Sequence, residues 1–130
     1  MQKISFIIPI YNEAENVSEL YQRLKKAIAV DFNNFEYEII FIDDGSADDS
    51  FQLLSELHQR DHGVKIIQLS RNFGHHIALS AGLDYTTGDY VVMMDGDLQD
   101  QPEEIIKLYN KLQEGYDVVY GVREKRRGGF

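Results

Sequence analysis

Asp95-Gly96-Asp97 follows the apolar run Tyr90-Val91-Val92-Met93-Met94. Two carboxylates are therefore expected at the end of a buried strand, with a glycine between them where the backbone can bend. Magnesium and manganese take hard oxygen ligands, and magnesium is usually held by one or two carboxylates plus substrate phosphates rather than by a closed protein cage. The pair points to a Mg²⁺ or Mn²⁺ site with Asp95 and Asp97 as ligands, completed by a phosphate. A bare Asp-x-Asp also arises in solvated turns, but a second acidic cluster supports the metal reading. Asp43-Asp44-Gly45-Ser46 follows another apolar run, Ile39-Ile40-Phe41-Ile42. Asp and Gly are ordinary turn residues, yet two adjacent acids exceed what a turn requires. With phosphates near Asp95 and Asp97, a carboxylate one strand across is placed to accept hydrogen bonds from a base or ribose, which gives Asp44 a recognition role.

Other polar residues carry less. The turn Pro9-Ile10-Tyr11-Asn12-Glu13 is not glycine-rich, which counts against a dinucleotide site whose pyrophosphate needs close backbone approach. Tyr11 suits either stacking on a base or core packing. His58 and His62 lie one helical turn apart, but no Glu completes a His-Glu-x-x-His motif and no third ligand is evident. His75 and His76 are adjacent, so they cannot both face one ion from a helix; they start a helix or line the pocket.

The elements that must position these groups alternate. Residues 4–10, 37–42, 64–69, 90–94 and 117–120 read as strands, separated by stretches with helical periodicity. Val17, Leu20, Tyr21, Leu24, Ala27 and Ile28 mark the first helix. Ser46 and Asp49 form a capping signature for a second, which turns Phe51, Leu54 and Leu57 inward. Ala78, Ala81, Gly82 and Tyr85 mark the buried face of a third. Pro102 suits the first turn of a fourth, with Ile105, Leu108, Tyr109 and Leu112 as its stripe and Gly115 as its stop. Strands apolar on both faces need helices on both sides, so the expected fold is α/β: a mostly parallel sheet with right-handed crossovers. Ligands of such sheets sit outside the carboxyl ends of the strands, where every polar cluster above falls, with Arg71-Asn72-Phe73-Gly74 among them.

Composition bounds the class. At 130 residues and 43% hydrophobic, the chain has room for one folded domain. Without Cys it forms neither disulfides nor thiolate metal sites. No apolar run approaches the roughly 20 residues of a membrane helix, and no secretory leader is evident. A net charge of −9 argues against a nucleic-acid surface. Arg123, Lys125, Arg126 and Arg127 against Glu124 give the last eight residues +3, which leaves −12 on residues 1–122. That basic end reads as an anion-facing segment or a solvated tail.

Four stretches carry a resemblance. Residues 4–13, ISFIIPIYNE, residues 38–46, EIIFIDDGS, and residues 94–99, MDGDLQ, together resemble the family 2 glycosyltransferases, in the branch of dolichyl- and polyprenyl-phosphate sugar transferases. Residues 69–82, LSRNFGHHIALSAG, most resemble the bacterial members that charge undecaprenyl phosphate. The resemblance implies a Rossmann-like nucleotide-sugar domain of the GT-A type over residues 1–122. Residues 123–130 would open an acceptor region, and further segments would attach the protein to the cytoplasmic face of a membrane. It implies that Pro9, Tyr11 and Glu13 border the nucleotide and that Ile42 and Asp44 contact base and ribose. Gly74, Gly96 and Gln99 belong to the same donor site, and Asp95 and Asp97 hold the metal-diphosphate. Asp97 and Arg123 would be catalytic, the latter by contacting the donor. The donor is expected to be UDP-linked rather than GDP-linked, and the acceptor a polyprenyl phosphate. Its phosphate is largely dianionic at neutral pH and needs no strong general base. Inversion at the anomeric carbon follows, with Arg126 or Arg127 steering the acceptor, and residues 1–130 alone are expected to turn over little lipid. Alternatives are a non-catalytic sugar-nucleotide-binding module, or a family 2 transferase with a saccharide acceptor. A signalling receiver would want its acids after strand one, and a sugar-nucleotide pyrophosphorylase a glycine-rich basic loop there; the sequence has neither.

Overall fold

A computed structural model of the chain describes residues 1–113. The expected stop at Gly115, the strand at 117–120 and the cations Arg123, Arg126 and Arg127 lie outside the described residues. Four strands, β1 (Lys3–Ile10), β2 (Glu36–Asp43), β3 (Val64–Gln68) and β4 (Tyr90–Met93), form one sheet in the order β3-β2-β1-β4. Every pairing is parallel, with Ile7 opposite Ile40 and Met93, and Phe41 opposite Ile66. Helices α1 (Ala14–Asp31), α2 (Ser50–Arg60), α3 (His75–Asp84) and α4 (Ile105–Leu112) connect or flank them, and a short 3₁₀ turn at Pro102–Glu104 leads into α4.

Side chains alternate across each strand, so the sheet has two buried faces. Ile4, Phe6, Ile8 and Ile10 of β1 join Ile39 and Phe41 of β2 beneath Leu20 and Leu24 of α1 and Leu54 and Leu57 of α2. On the other face Ile7, Ile40, Ile42 and Met93 meet Ala78 of α3. The chain moves from β1 to β3 in one direction with its helices on one face. It then returns past β1 to β4 with α3 on the opposite face, as right-handed crossovers require. A cleft is thereby opened between the carboxyl ends of β1 and β4, where the order of strands reverses.

The small residues of α3 have a direct cause. A Cβ on Gly82 would stand 2.4 Å from Ile7 Cγ2 and 2.8 Å from Ile42 Cδ1, so the helix lies down on the sheet. Its last expected core residue differs: Tyr85 is 64% exposed, just past the end of the helix. The second helix also differs from its expected cap. It starts at Ser50 rather than after Ser46, and Asp49 at its N-cap makes no side-chain cap bond. Ser46 is committed elsewhere, accepting the Asn12 N–H on its hydroxyl at 2.9 Å.

Away from the cleft one buried and one half-buried carboxylate tie the elements together. Glu38 of β2 is 1% exposed and accepts from Lys65 Nζ at 2.6 Å, Ser5 Oγ at 2.6 Å and Thr87 N at 2.7 Å. Burial alone would raise its pKa, but these donors outweigh burial and hold it at about 2. Asp61, after α2, accepts from Tyr21 of α1 and Tyr37 of β2 and is likewise held at about 2 against the effect of burial.

Candidate functional site

A cleft of about 390 Å³ opens at the carboxyl ends of β1 and β4, within the range of small-molecule sites. Pro9, Tyr11 and Glu13 line it from the first turn, Asp44 from the second, Gly74 from the third, and Asp95, Gly96 and Asp97 from the fourth. Two expected site residues fall elsewhere. Ile42 is fully buried among Ile7, Ile40 and Ala78, so its side chain is core packing. Gln99 is exposed, outside the cleft lining, and its N–H donates to Asp97 Oδ1 at 3.1 Å.

The first turn is held by its neighbour. Asn12 adopts a left-handed backbone, φ 53°, and its side-chain oxygen accepts the Ala47 N–H at 2.7 Å. Helix α1 has no cap of its own at Glu13. Its first N–H groups are satisfied instead by the next loop, Glu13 N donating to Ser50 Oγ at 3.0 Å and Ala14 N to Asp48 Oδ2 at 3.1 Å. The hydrogen bonds from Ser50, with that from Ala14, hold the Asp48 carboxyl below its ordinary range. Tyr11, 49% exposed, stands at the rim of this braced turn.

The second and third turns are locked face to face. Gly45 has φ 72°, and a Cβ there would stand 2.3 Å from the Arg71 carbonyl carbon and 2.4 Å from the Asn72 nitrogen. Asp44, 3% exposed, accepts the Phe73 N–H on Oδ1 at 2.8 Å. Its Oδ2 accepts from Asn72 Nδ2 and Gly74 N, both at 3.1 Å. Gly74 precedes α3 with φ 105° and ψ 160°, a region that is essentially glycine-only. Nothing lies within 4 Å of where its Cβ would be.

The fourth turn folds back on itself. The Asp95 N–H donates to Oδ2 of Asp100 at 2.9 Å, and Asp100 is 3% exposed. Leu98 supplies the reversal with φ 66°. His75 Nε2, at the start of α3, stands 3.5 Å from Asp95 Oδ1. Gly96 is required for a different reason from the one expected. Its φ is not positive, but a Cβ would stand 2.5 Å from Ile10 Cδ1 and 3.1 Å from the Pro9 carbonyl oxygen. The fourth turn thus packs directly on the end of β1.

Asp100, Ser50 and Asp48 escaped the sequence reading, as did the bond of Asn72, placed at the rim with its cluster, to Asp44. Asp100 had one available signal, as a third acid within six residues; the other three act across turns, which local spacing does not encode. His75 both starts α3 and lines the cleft. Among the described residues no three His, Cys, Asp or Glu side chains gather as a metal cluster. Two carboxylates at a strand end fit a hard divalent ion that takes its remaining ligands from a phosphate or water.

Comparison with known proteins places this arrangement. The chain is 49% identical over 124 residues to the uncharacterized glycosyltransferase YkcC of Bacillus subtilis, covering 95% of this chain and 38% of that one. It is 44% identical over 129 residues to the undecaprenyl-phosphate 4-deoxy-4-formamido-L-arabinose transferase of Klebsiella pneumoniae, covering 98% and 38%. The chain therefore spans less than two-fifths of these relatives. Among solved structures, Staphylococcus aureus TarS residues 1–349, in complex with UDP-GlcNAc, superposes with a TM-score of 0.69 at 29% identity, over 86% of this chain and 31% of that one. The four-stranded parallel sheet is that of the GT-A glycosyltransferases. The sequence model of glycosyl transferase family 2 matches residues 5–130, all of the sheet but the first two residues of β1 and all four turns of the cleft included, and the chain belongs to that family.

Proposed function

We propose that this chain is the donor-binding part of an enzyme that moves a sugar from a nucleoside diphosphate to a polyprenyl phosphate, with inversion, at the cytoplasmic face of a membrane. The observation that carries the reading is the convergence of Asp44, Asp95 and Asp97 on one cleft at the point where the strand order reverses. The similarity to an undecaprenyl-phosphate sugar transferase supports the acceptor class.

Asp95 and Asp97 would hold Mg²⁺ or Mn²⁺, which supplies charge neutralisation for the leaving diphosphate when bound. The chain's own residues do the rest. Tyr11 offers an exposed ring beside Pro9 and Glu13 for the base, and Asp44 offers an acceptor. The space around Gly74 admits the sugar-diphosphate close to the backbone. Asp100 and His75 bear on Asp95, fixing its backbone and its carboxylate. An oxygen of the acceptor phosphate attacks the anomeric carbon as the bond from that carbon to the diphosphate oxygen breaks, and the nucleoside diphosphate departs with the electron pair. A dianionic phosphate is already a competent nucleophile, so the work of the site is orientation and charge placement. Arg123 adds a cation to the donor. No helix among the described residues is long and apolar enough to cross a membrane.

The test is transfer by the full-length protein from a sugar nucleotide to undecaprenyl phosphate, read by mass spectrometry of the lipid. Activity that disappears with chelator and returns with Mn²⁺ or Mg²⁺, and that is lost in Asp95→Ala and Asp97→Ala, is expected. Full activity in both variants would end the metal assignment, and transfer to a saccharide but never to the lipid phosphate would end the acceptor assignment.

A further inference from the structure

Asp44 stands on the cleft wall with most of its hydrogen-bonding capacity spent. An ionised carboxylate offers about four acceptor positions, two on each oxygen. Oδ2 accepts from Asn72 Nδ2 and Gly74 N, whereas Oδ1 accepts from Phe73 N, which leaves one position on Oδ1. The bonds from Gly74 and Phe73 are backbone bonds of the segment that starts α3, and they cannot yield without unseating the helix. The Asn72 bond comes from an exposed side chain that also donates to the Asp44 carbonyl oxygen at 3.1 Å.

Resting on the donor-site reading above, we infer that Asn72 is a specificity-determining residue: by filling Oδ2 it leaves Asp44 able to take one base N–H, which selects a uracil-type base over guanine. Guanine presents a ring N–H and an exocyclic amine side by side, a pair that a carboxylate takes with both oxygens. Uracil presents a single ring N–H on its pairing edge, which one oxygen satisfies. Adenine and cytosine carry no ring N–H there. The selection therefore comes from occupied acceptor sites and not from the size of the cleft. Asn72 does not touch the reacting atoms.

The experiment is calorimetric titration of the full-length protein with Mn²⁺ and, in turn, UDP, GDP and N3-methyl-UDP. A hydrogen bond to a charged group is worth about tenfold to a hundredfold in affinity. UDP is expected to bind about tenfold or more tightly than GDP, and N3-methylation to cost UDP about the same. In Asn72→Ala one position on Oδ2 is released, and the UDP-to-GDP preference is expected to fall severalfold, a change of ratio that a general loosening of the fold would not produce. Equal affinity for UDP and GDP, or N3-methyl-UDP binding as well as UDP, overturns the inference while leaving the donor site standing. An unchanged preference in Asn72→Ala removes Asn72 from it. Failure of every nucleoside diphosphate to bind in the presence of Mn²⁺ would bring down the donor-site reading and this inference together. Should Asn72→Ala fail to fold, Asn72→Ser, whose shorter side chain also withdraws the amide donor from Oδ2, takes its place, and an unchanged preference there overturns the inference.

Discussion

Glu38→Gln tests the energetics of the scaffold without touching the cleft. The side chain is 1% exposed in the centre of β2, where Lys65, Ser5 and Thr87 donate to it. Gln keeps the shape and one acceptor oxygen but loses the charge and replaces the other oxygen with a donor. The carboxyl is held at about 2 against an ordinary 4.5, a difference worth about 3 kcal/mol of folding stability at neutral pH. The sign follows from the direction. A carboxyl depressed in the folded state stabilises above its unfolded pKa, and that stability is lost as pH falls from about 4.5 through about 2. At pH 3 roughly half remains, about 1.5 kcal/mol. Urea unfolding of both proteins between pH 7 and pH 3 should therefore show the variant less stable by about 3 kcal/mol at pH 7, with the gap closing by about 1.5 kcal/mol at pH 3. Nucleotide affinity of the folded variant should stay unchanged, since Glu38 is no part of the cleft lining. A gap that stays constant across that pH range would refute the account, because it would mean that Glu38 acts by shape and not by charge.

Gly45→Ala places a Cβ 2.3 Å from the Arg71 backbone at φ 72°; it should cost upwards of about 2 kcal/mol in chemical denaturation and weaken nucleotide binding by parting the second and third turns. Gly74→Ala meets open space but keeps a glycine-only backbone; about 1–3 kcal/mol of stability should be lost, and titration should show a loss of donor affinity beyond what unfolding explains. Asp100→Ala removes the acceptor of the Asp95 N–H; about 1 kcal/mol is expected for the partly buried donor left behind. Mn²⁺ affinity, followed by electron paramagnetic resonance, should fall in Asp100→Ala and recover in Asp100→Asn, which keeps an acceptor oxygen; equal loss in both would show that the Asp100 charge, not its hydrogen bond, matters.

The sheet was legible because its signal is local. Ile4, Phe6, Ile8 and Ile10 are buried on one face and Ile7 on the other, and a strand apolar on both faces can only be an interior strand of a covered sheet. The position of Asp95 and Asp97 at the cleft was legible because a buried run ends where they begin. What differed did so for three separate reasons: a partner on another turn, an early helix end, and strand alternation. Ser46 carries the local signature of a helix cap, yet its hydroxyl serves Asn12, 34 residues away. Tyr85 continues the helical spacing of Ala78 and Gly82, yet α3 ends at Asp84 and the ring is left in solvent. Ile42 stands beside Asp43 and Asp44 in sequence, but strand alternation turns it into the core.

The same cross-turn bonds bear on how the cleft can work. A carboxylate used only to grip a ligand would wait in solvent with its acceptor positions vacant, and every complex would carry the cost of ordering it. Asp44 is instead anchored by three donors from the 72–74 segment, and the Asp95 backbone is anchored by Asp100. The first turn is anchored by Asp48 and Ser50. The first and second turns are held by the turns beside them and the fourth by its own Asp100, so the folding energy of the domain has already fixed the geometry a donor would meet. Such a site would gain affinity by preorganisation and select by which acceptor positions remain open, and on that reading the exposed Asn72 side chain would govern which base the buried Asp44 accepts.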